Sequence, residues 1–136
     1  MHVIELTPTL SVSGQISPDD VAGLAATGFT VVVCNRPDGE SPDQPAMSAM
    51  ASACSAAGIR FVQYPVNPMT FPGDDIGMIA DMFSGQGTER VLAYCRTGTR
   101  CTNLWVATRP AEEQSAAIEH ARHLGFDLSL AMRMLG

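Results

Sequence analysis

The chain has 136 residues, 46% hydrophobic and 16% charged, a balance that suits one folded domain over 1–136 and excludes a disordered polymer. Its formal net charge of −6 argues against nucleic acid or an anionic membrane surface as partner, because both select basic faces. No apolar run approaches the roughly 20 residues of a transmembrane helix. Met1-His2-Val3-Ile4-Glu5 lacks the basic-then-apolar order of a secretory leader, so a reducing, cytoplasmic setting is expected.

In chain order, Leu10 to Ser13 reads as a short strand. Ser17-Pro18-Asp19-Asp20 opens a helix, with serine as cap, proline at the first helical position and acids in the first turn; Gly28 ends it. Phe29 to Cys34 is β-branched and apolar throughout, the mark of a strand buried on both faces. A polar loop from Asn35 to Pro45 follows, then a helix from Ala46 to Ala57 stopped by Gly58, then a third central strand from Arg60 to Val66. A proline- and glycine-rich loop runs to Gly73, and Asp74-Asp75 lead a helix to Phe83. Arg90 to Tyr94 is the next strand, with Cys95 at its end. Three helices complete the chain: Thr102 to Thr108, Glu112 to Leu124, and a short apolar one near Met134. The alternation predicts a three-layer α/β sandwich around a central, mostly parallel sheet. Ligands of such sheets bind beyond the carboxyl ends of the strands, where Cys95 falls.

The four cysteines show no Cys-x-x-Cys spacing, and His2, His120 and His123 are remote from them, so neither a metal nor another cofactor is expected. Cys54, in an alanine-rich helix, reads as a small buried residue. The chain has no lysine, and two of its eight arginines stand beside one cysteine in Cys95-Arg96-Thr97-Gly98-Thr99-Arg100. A loop that turns from a strand into a helix N-terminus aims its N–H groups at one point, and the helix dipole adds positive potential there. Gly98 permits the tight turn. A sulfur at the rim of such a cradle is stabilised as thiolate. Arg100 can offer a two-pronged donor to an anion. Arg96, Thr97, Gly98, Thr99 and Cys101 complete the anion-binding set, with Thr102 a further hydroxyl. Arg36, at the end of a neighbouring strand, either adds positive potential to the mouth or pairs with Asp38 or Glu40. Gln15 reaches the site or caps the following turn. Trp105 is expected to pack the active helix on the sheet, and His120 and His123 to be solvated.

Ser13-Gly14-Gln15, Asn35-Arg36-Pro37-Asp38-Gly39-Glu40, Tyr64-Pro65-Val66 and the Cys95–Arg100 loop together resemble the phosphatase-like domains of bacterial beta-lactamase hydrolase-like proteins, over about residues 3 to 108. The resemblance implies a protein tyrosine/dual-specificity phosphatase-like fold. It makes Cys95 the nucleophile, Arg100 the anion binder, and a small anionic phosphate ester the substrate. The sequence departs from the phosphatase pattern in three places. Only four residues separate Cys95 from Arg100 where such phosphatases have five. Asn67 stands where an aspartate general acid is expected, which leaves Asp74 or Asp75 as the candidate acid. Cys101 replaces a serine or threonine.

These departures suit a second chemistry. The loop also resembles the six-residue loop of rhodanese-type sulfurtransferases, which implies a persulfide on Cys95, a sulfane-sulfur donor as substrate, and Cys101 as resolving thiol or plain core residue. A third reading is an anion- or redox-sensing module built on Cys95 and Cys101. Cys34 is a weaker candidate to approach the site.

Overall fold

The computed structural model describes residues 1–85 and 87–135. Five strands form one sheet in the order β1 (Val3–Glu5), β2 (Leu10–Ser13), β5 (Val91–Tyr94), β3 (Val31–Cys34), β4 (Arg60–Gln63). β1 pairs antiparallel with β2, and every other pairing is parallel. Helices cover both faces: α1 (Val21–Ala26) and α2 (Met47–Ala56) on one, α3 (Ile76–Met82), α4 (Thr99–Ala107), α5 (Ala111–His123) and α6 (Ser129–Leu135) on the other.

The period-two geometry of a strand sorts the core into two layers. Val31, Val33, Val91 and Ala93 pack under α3 to α6 with Leu104, Trp105 and Phe83. Val32, Cys34, Leu92 and Tyr94 face the other way, against Leu24, Met50 and Cys54. Covered on both faces, β3 and β5 read as unbroken apolar runs, and all eight of their residues are buried.

Several boundaries differ from expectation. β1 was not foreseen. The Ser17 signal opens a 3₁₀ turn over Pro18–Asp20 before α1, with the Ser17 N–H donating to the Asp20 carboxylate at 2.8 Å. The strand expected from Arg60 to Val66 as central is shorter and lies at the sheet edge. Arg60 and Gln63 are exposed, and β4 pairs with β3 alone. The Glu112 helix and the final apolar helix form within a few residues of their expected limits.

β5 sits in the middle of the sheet, between β2 and β3. The parallel arrangement therefore gathers four loops at one end: those after β2, β3, β4 and β5. That gathering builds the site.

Candidate active site

The β5–α4 turn is a strand, one cysteine and three loop residues leading into a helix. Gly98 has φ +87 and takes the N-cap position of α4, a left-handed conformation that a residue with a Cβ adopts only at a cost. Its carbonyl accepts the Thr102 N–H at 3.1 Å and the Thr102 hydroxyl at 2.9 Å. The helix thus starts at Thr99, earlier than the expected Thr102, and the Thr102 hydroxyl is directed to the helix backbone.

Cys95 is 1% exposed at the foot of this turn. The Gly98 N–H donates to its Sγ at 3.1 Å. The Cys101 thiol makes the largest contribution to its acidity, against the cost of burial, and the N–H groups of Cys101, Thr97 and Arg100 add to it. Together they bring the Cys95 pKa down to about 5. Cys95 is therefore a thiolate at neutral pH. Cys101 is fully buried, and burial together with its thiolate neighbour pushes its own pKa well up. It remains the donor of the pair. Cys34 faces the opposite side of the sheet, where its thiol donates to the Arg36 carbonyl at 3.2 Å. None of the four cysteines is in a disulfide.

Arg100 is fixed by two loops, the one after β3 and the one after β4. Its Nη1 donates to the Val66 carbonyl at 2.7 Å, to Glu40 Oε2 at 2.9 Å and to the Asn35 carbonyl at 3.4 Å, and its Nη2 donates to Glu40 Oε1 at 3.2 Å. These bonds occupy the Nη1/Nη2 edge of the guanidinium. The Nε and the second Nη2 hydrogen have no partner among the described residues, so one two-pronged edge is free for an anion.

Arg36 is buried and does not line the cleft. Its Nε bonds Glu40 at 3.1 Å, and its Nη1 bonds Gln15 Oε1 at 3.0 Å. Of the two partners weighed for it, Glu40 is the one taken; Asp38 instead accepts the Met47 N–H at 2.8 Å. Glu40 thus holds two arginines. Burial pushes its carboxyl up, but the hydrogen bonds from Arg100 and Arg36 outweigh that and hold it below its ordinary value. One carboxylate between two guanidiniums leaves the cluster with a net positive charge behind the cysteine loop.

The cleft above Cys95, about 380 Å³, is lined by Cys95, Arg96, Thr97, Thr99, Arg100 and Leu130. The lining contains no carboxylate. Thr97 and Thr99 hydrogen-bond to each other through their hydroxyls at 3.0 Å. Leu130 arrives from α6, which Asn103 ties to α4. Asn103 Nδ2 donates to the Thr99 and Asp127 carbonyls at 2.8 Å each, and its Oδ1 accepts the Ala131 N–H at 2.9 Å.

The two candidate acids are not brought to this cleft. Asp75 is the N-cap of α3, its carboxylate accepting the Met78 N–H at 3.2 Å. Asp74 is exposed and lines a separate cavity with Gln63, Tyr64, Pro65, Thr70 and Gly73. Asn67 accepts the N–H groups of Met69 and Thr70 in its own turn. Trp105 packs in the core as expected, and His120 is exposed as expected, with its Nε2 3.0 Å from the Leu6 carbonyl and its ring edge-on to Trp105. Sequence reasoning missed three contributors: Glu40 as holder of Arg100, the Asn35 and Val66 carbonyls, and Leu130. The four-residue spacing of Arg36 and Glu40 gave a signal for that pair alone.

Among the described residues no group of acidic, histidine and cysteine side chains could hold a metal ion, and no helix is long and apolar enough to cross a membrane.

Comparison with known proteins agrees with the fold. The family model of the beta-lactamase hydrolase-like protein, phosphatase-like domain, matches residues 2–112. The beta-lactamase hydrolase-like protein of Agrobacterium fabrum is 32% identical over 139 residues; the match takes in 99% of this chain but 32% of the relative, so the chain spans about a third of that protein's length. A crystal structure of a Neisseria meningitidis protein described as a candidate phosphatase superposes with TM-score 0.79 at 33% identity, over 98% of this chain and 96% of that one. The Pseudomonas aeruginosa protein TpbA, crystallised with phosphotyrosine, shares the fold at TM-score 0.62 and 18% identity, over 98% of this chain and 90% of its own. A mixed five-stranded sheet with helices on both faces, the cysteine turn at the end of its central strand and a match over most of the length place this chain in the beta-lactamase hydrolase-like protein, phosphatase-like domain family.

Proposed function

We propose that the chain is a cysteine-dependent phosphatase-type hydrolase acting on a small anionic phosphate monoester, with Cys95 as nucleophile. The observation that carries this reading is a buried thiolate with a pKa of about 5 at the foot of a cleft whose lining includes two arginines and no acid. The Sγ of Cys95 attacks phosphorus, the bond from phosphorus to the leaving oxygen breaks, and a phosphocysteine forms. The free edge of Arg100 and the N–H groups of the turn hold the phosphoryl oxygens as their charge redistributes. Water then attacks phosphorus, the P–S bond breaks, and phosphate leaves with the thiolate restored. With neither Asp74 nor Asp75 in the cleft, the leaving oxygen takes its proton from solvent. This favours aryl over alkyl esters, because an aryl oxide departs more readily without protonation.

The missing acid supports a second reading, sulfur transfer. Here the Cys95 thiolate attacks the outer sulfur of thiosulfate, the S–S bond breaks, sulfite leaves, and Cys95 carries a persulfide that a thiol acceptor then takes. No proton has to reach a leaving oxygen, and a turn of four residues between Cys95 and Arg100 suits a single sulfur atom.

A paired assay on the wild type and Cys95→Ser separates the two. Hydrolysis of an aryl phosphate that disappears in the variant supports the hydrolase. Addition of one sulfur to Cys95 by intact-protein mass spectrometry after thiosulfate, with no hydrolysis, supports sulfur transfer. Retained turnover in Cys95→Ser refutes both.

A further inference from the structure

The chain is acidic, and most of its arginines are committed. Arg36, Arg60, Arg90, Arg100, Arg109 and Arg133 each hold a carboxylate, a carbonyl or a side-chain oxygen. Arg96 differs. It is exposed, it lines the Cys95 cleft, and its guanidinium has no ion pair or hydrogen bond among the described residues.

The backbone of Arg96 is nonetheless held in place. Its carbonyl accepts the Gln15 N–H at 3.4 Å, and it lies so close to Gly14 that a Cβ there would sit 2.9 Å from the Arg96 oxygen. Gly14 thus lets the β2 loop close on the cysteine turn and fixes the point from which the Arg96 side chain leaves. Below this rim Cys95 is 1% exposed, so the reacting group of a substrate must be small and enter alone. The remainder of the substrate stays at the rim. There it meets an apolar side chain, Leu130, and a cation with no internal partner, Arg96.

We propose that Arg96 is a specificity-determining residue that selects phosphate monoesters whose leaving group combines an apolar body with a second anionic group. The proposal rests on the hydrolase reading given above and names its substrate class. The phosphoryl group is held by the turn and by Arg100, the apolar body lies on Leu130, and the second anion meets Arg96. A rim contact of this kind is solvated, so its effect is that of a well-placed exposed ion pair, about five-fold in selectivity, and it weakens as salt rises.

The test uses phenyl phosphate and its para-carboxylated analogue on the full chain. The readout is the ratio of kcat/KM for the two esters, compared between wild type and variants so that the intrinsic difference in leaving groups cancels. Arg96→Ala is expected to lower the ratio (carboxylated over plain) about five-fold at low salt. Arg96→Glu should lower it further, Arg96→Lys should fall between wild type and Arg96→Ala, and the differences should shrink in high salt. A ratio unchanged across the variants would overturn the proposal. If the wild type hydrolyses neither ester, the hydrolase reading fails and the selectivity is read by calorimetric binding of both esters to Cys95→Ser, with and without Arg96→Ala. A five-fold loss confined to the carboxylated ester supports Arg96 as the selector. Equal affinities, or no binding of that ester, refute it.

Discussion

Replacing Cys101 with alanine should unmask how much of the Cys95 acidity comes from one neighbouring thiol. Cys101 follows the anion-binding arginine, is fully buried, and makes the largest contribution to lowering the Cys95 pKa to about 5. A hydrogen bond to a charged group is worth about 1.5–3 kcal/mol, and for a weak S–H donor about 2 kcal/mol is a fair figure. At about 1.4 kcal/mol per pKa unit, its loss raises Cys95 by roughly 1.5 units, to about 6.5. At about pH 5.5 the thiolate fraction then falls from roughly three-quarters to roughly one-tenth, an eight-fold loss of the reactive species, whereas at about pH 8 both proteins are ionised. The assay is the rate of alkylation of Cys95 by iodoacetamide across pH, with Cys34 and Cys54, whose pKa burial raises, monitored by peptide mass mapping as controls. Cys101→Ser, which keeps a donor, should titrate at or below the wild-type value. A Cys101→Ala protein that titrates with the wild type would refute the argument and leave the backbone N–H groups as the whole cause, and a serine variant that shifts as far as the alanine one would refute a donated hydrogen bond as the route.

Three further outcomes are expected. Glu40→Gln keeps the shape but removes the charge that holds Arg100 and Arg36, so phosphate affinity should fall several-fold and stability by about 1–2 kcal/mol, read by calorimetry and urea unfolding. Tighter phosphate binding would instead mean that Glu40 competes with the anion for Arg100. Gly98→Ala forces a Cβ into φ +87, 3.4 Å from the Ser13 backbone, and should cost about 1–3 kcal/mol while displacing the Cys95 turn; a thermal midpoint and pH profile equal to wild type would contradict it. The Cys95 titration also predicts the pH dependence of folding. Its pKa is depressed in the folded chain from 9.0 to about 5, so the stabilisation is fully present above pH 9, declines through the window between, and is gone below about pH 5. The stability of the wild type relative to Cys95→Ser should therefore rise with pH across that window, by up to about 1.4 kcal/mol per pH unit, and a parallel pair of curves would refute it.

The parts legible in the sequence were those fixed by local chemistry. An unbroken apolar run at Val31–Cys34 marks a strand covered on both faces, and cysteine, glycine and arginine at close offsets mark a turn into a helix N-terminus. What escaped depends on distant partners. β1 is three residues long, with no alternation to mark it, and is a strand because β2 offers it an edge. β4 looked central because its residues favour strands, yet it is the last strand of the sheet, with Arg60 and Gln63 exposed. The contact between Arg100 and Glu40 joins the first turn of α4 to a loop 60 residues away, and no spacing rule reaches that far.

The general acid is the sharpest such case, because its absence shapes the chemistry. An aspartate before a helix reads equally as an acid or as a cap, and the local sequence around Asp74-Asp75 suits both roles. The fold separates them. Asp75 accepts the Met78 N–H, and Asp74 lines a cavity that shares no residue with the Cys95 cleft. Among the described residues no carboxyl lines the cleft, so an alkoxide released at Cys95 would find no carboxylic acid there to protonate it. On the function proposed above, a substrate then carries its own capacity to leave, as an aryl oxide or a sulfite does, and its anionic group meets Arg96 and Arg100. Both chemistries open to this site obey those two conditions. Supplying an acid is therefore the informative perturbation. An aspartate placed at the rim by Thr97→Asp should speed alkyl phosphate hydrolysis relative to aryl if phosphoryl transfer is the reaction. A ratio of alkyl to aryl rates that does not move would mean that departure of the leaving oxygen does not limit this site.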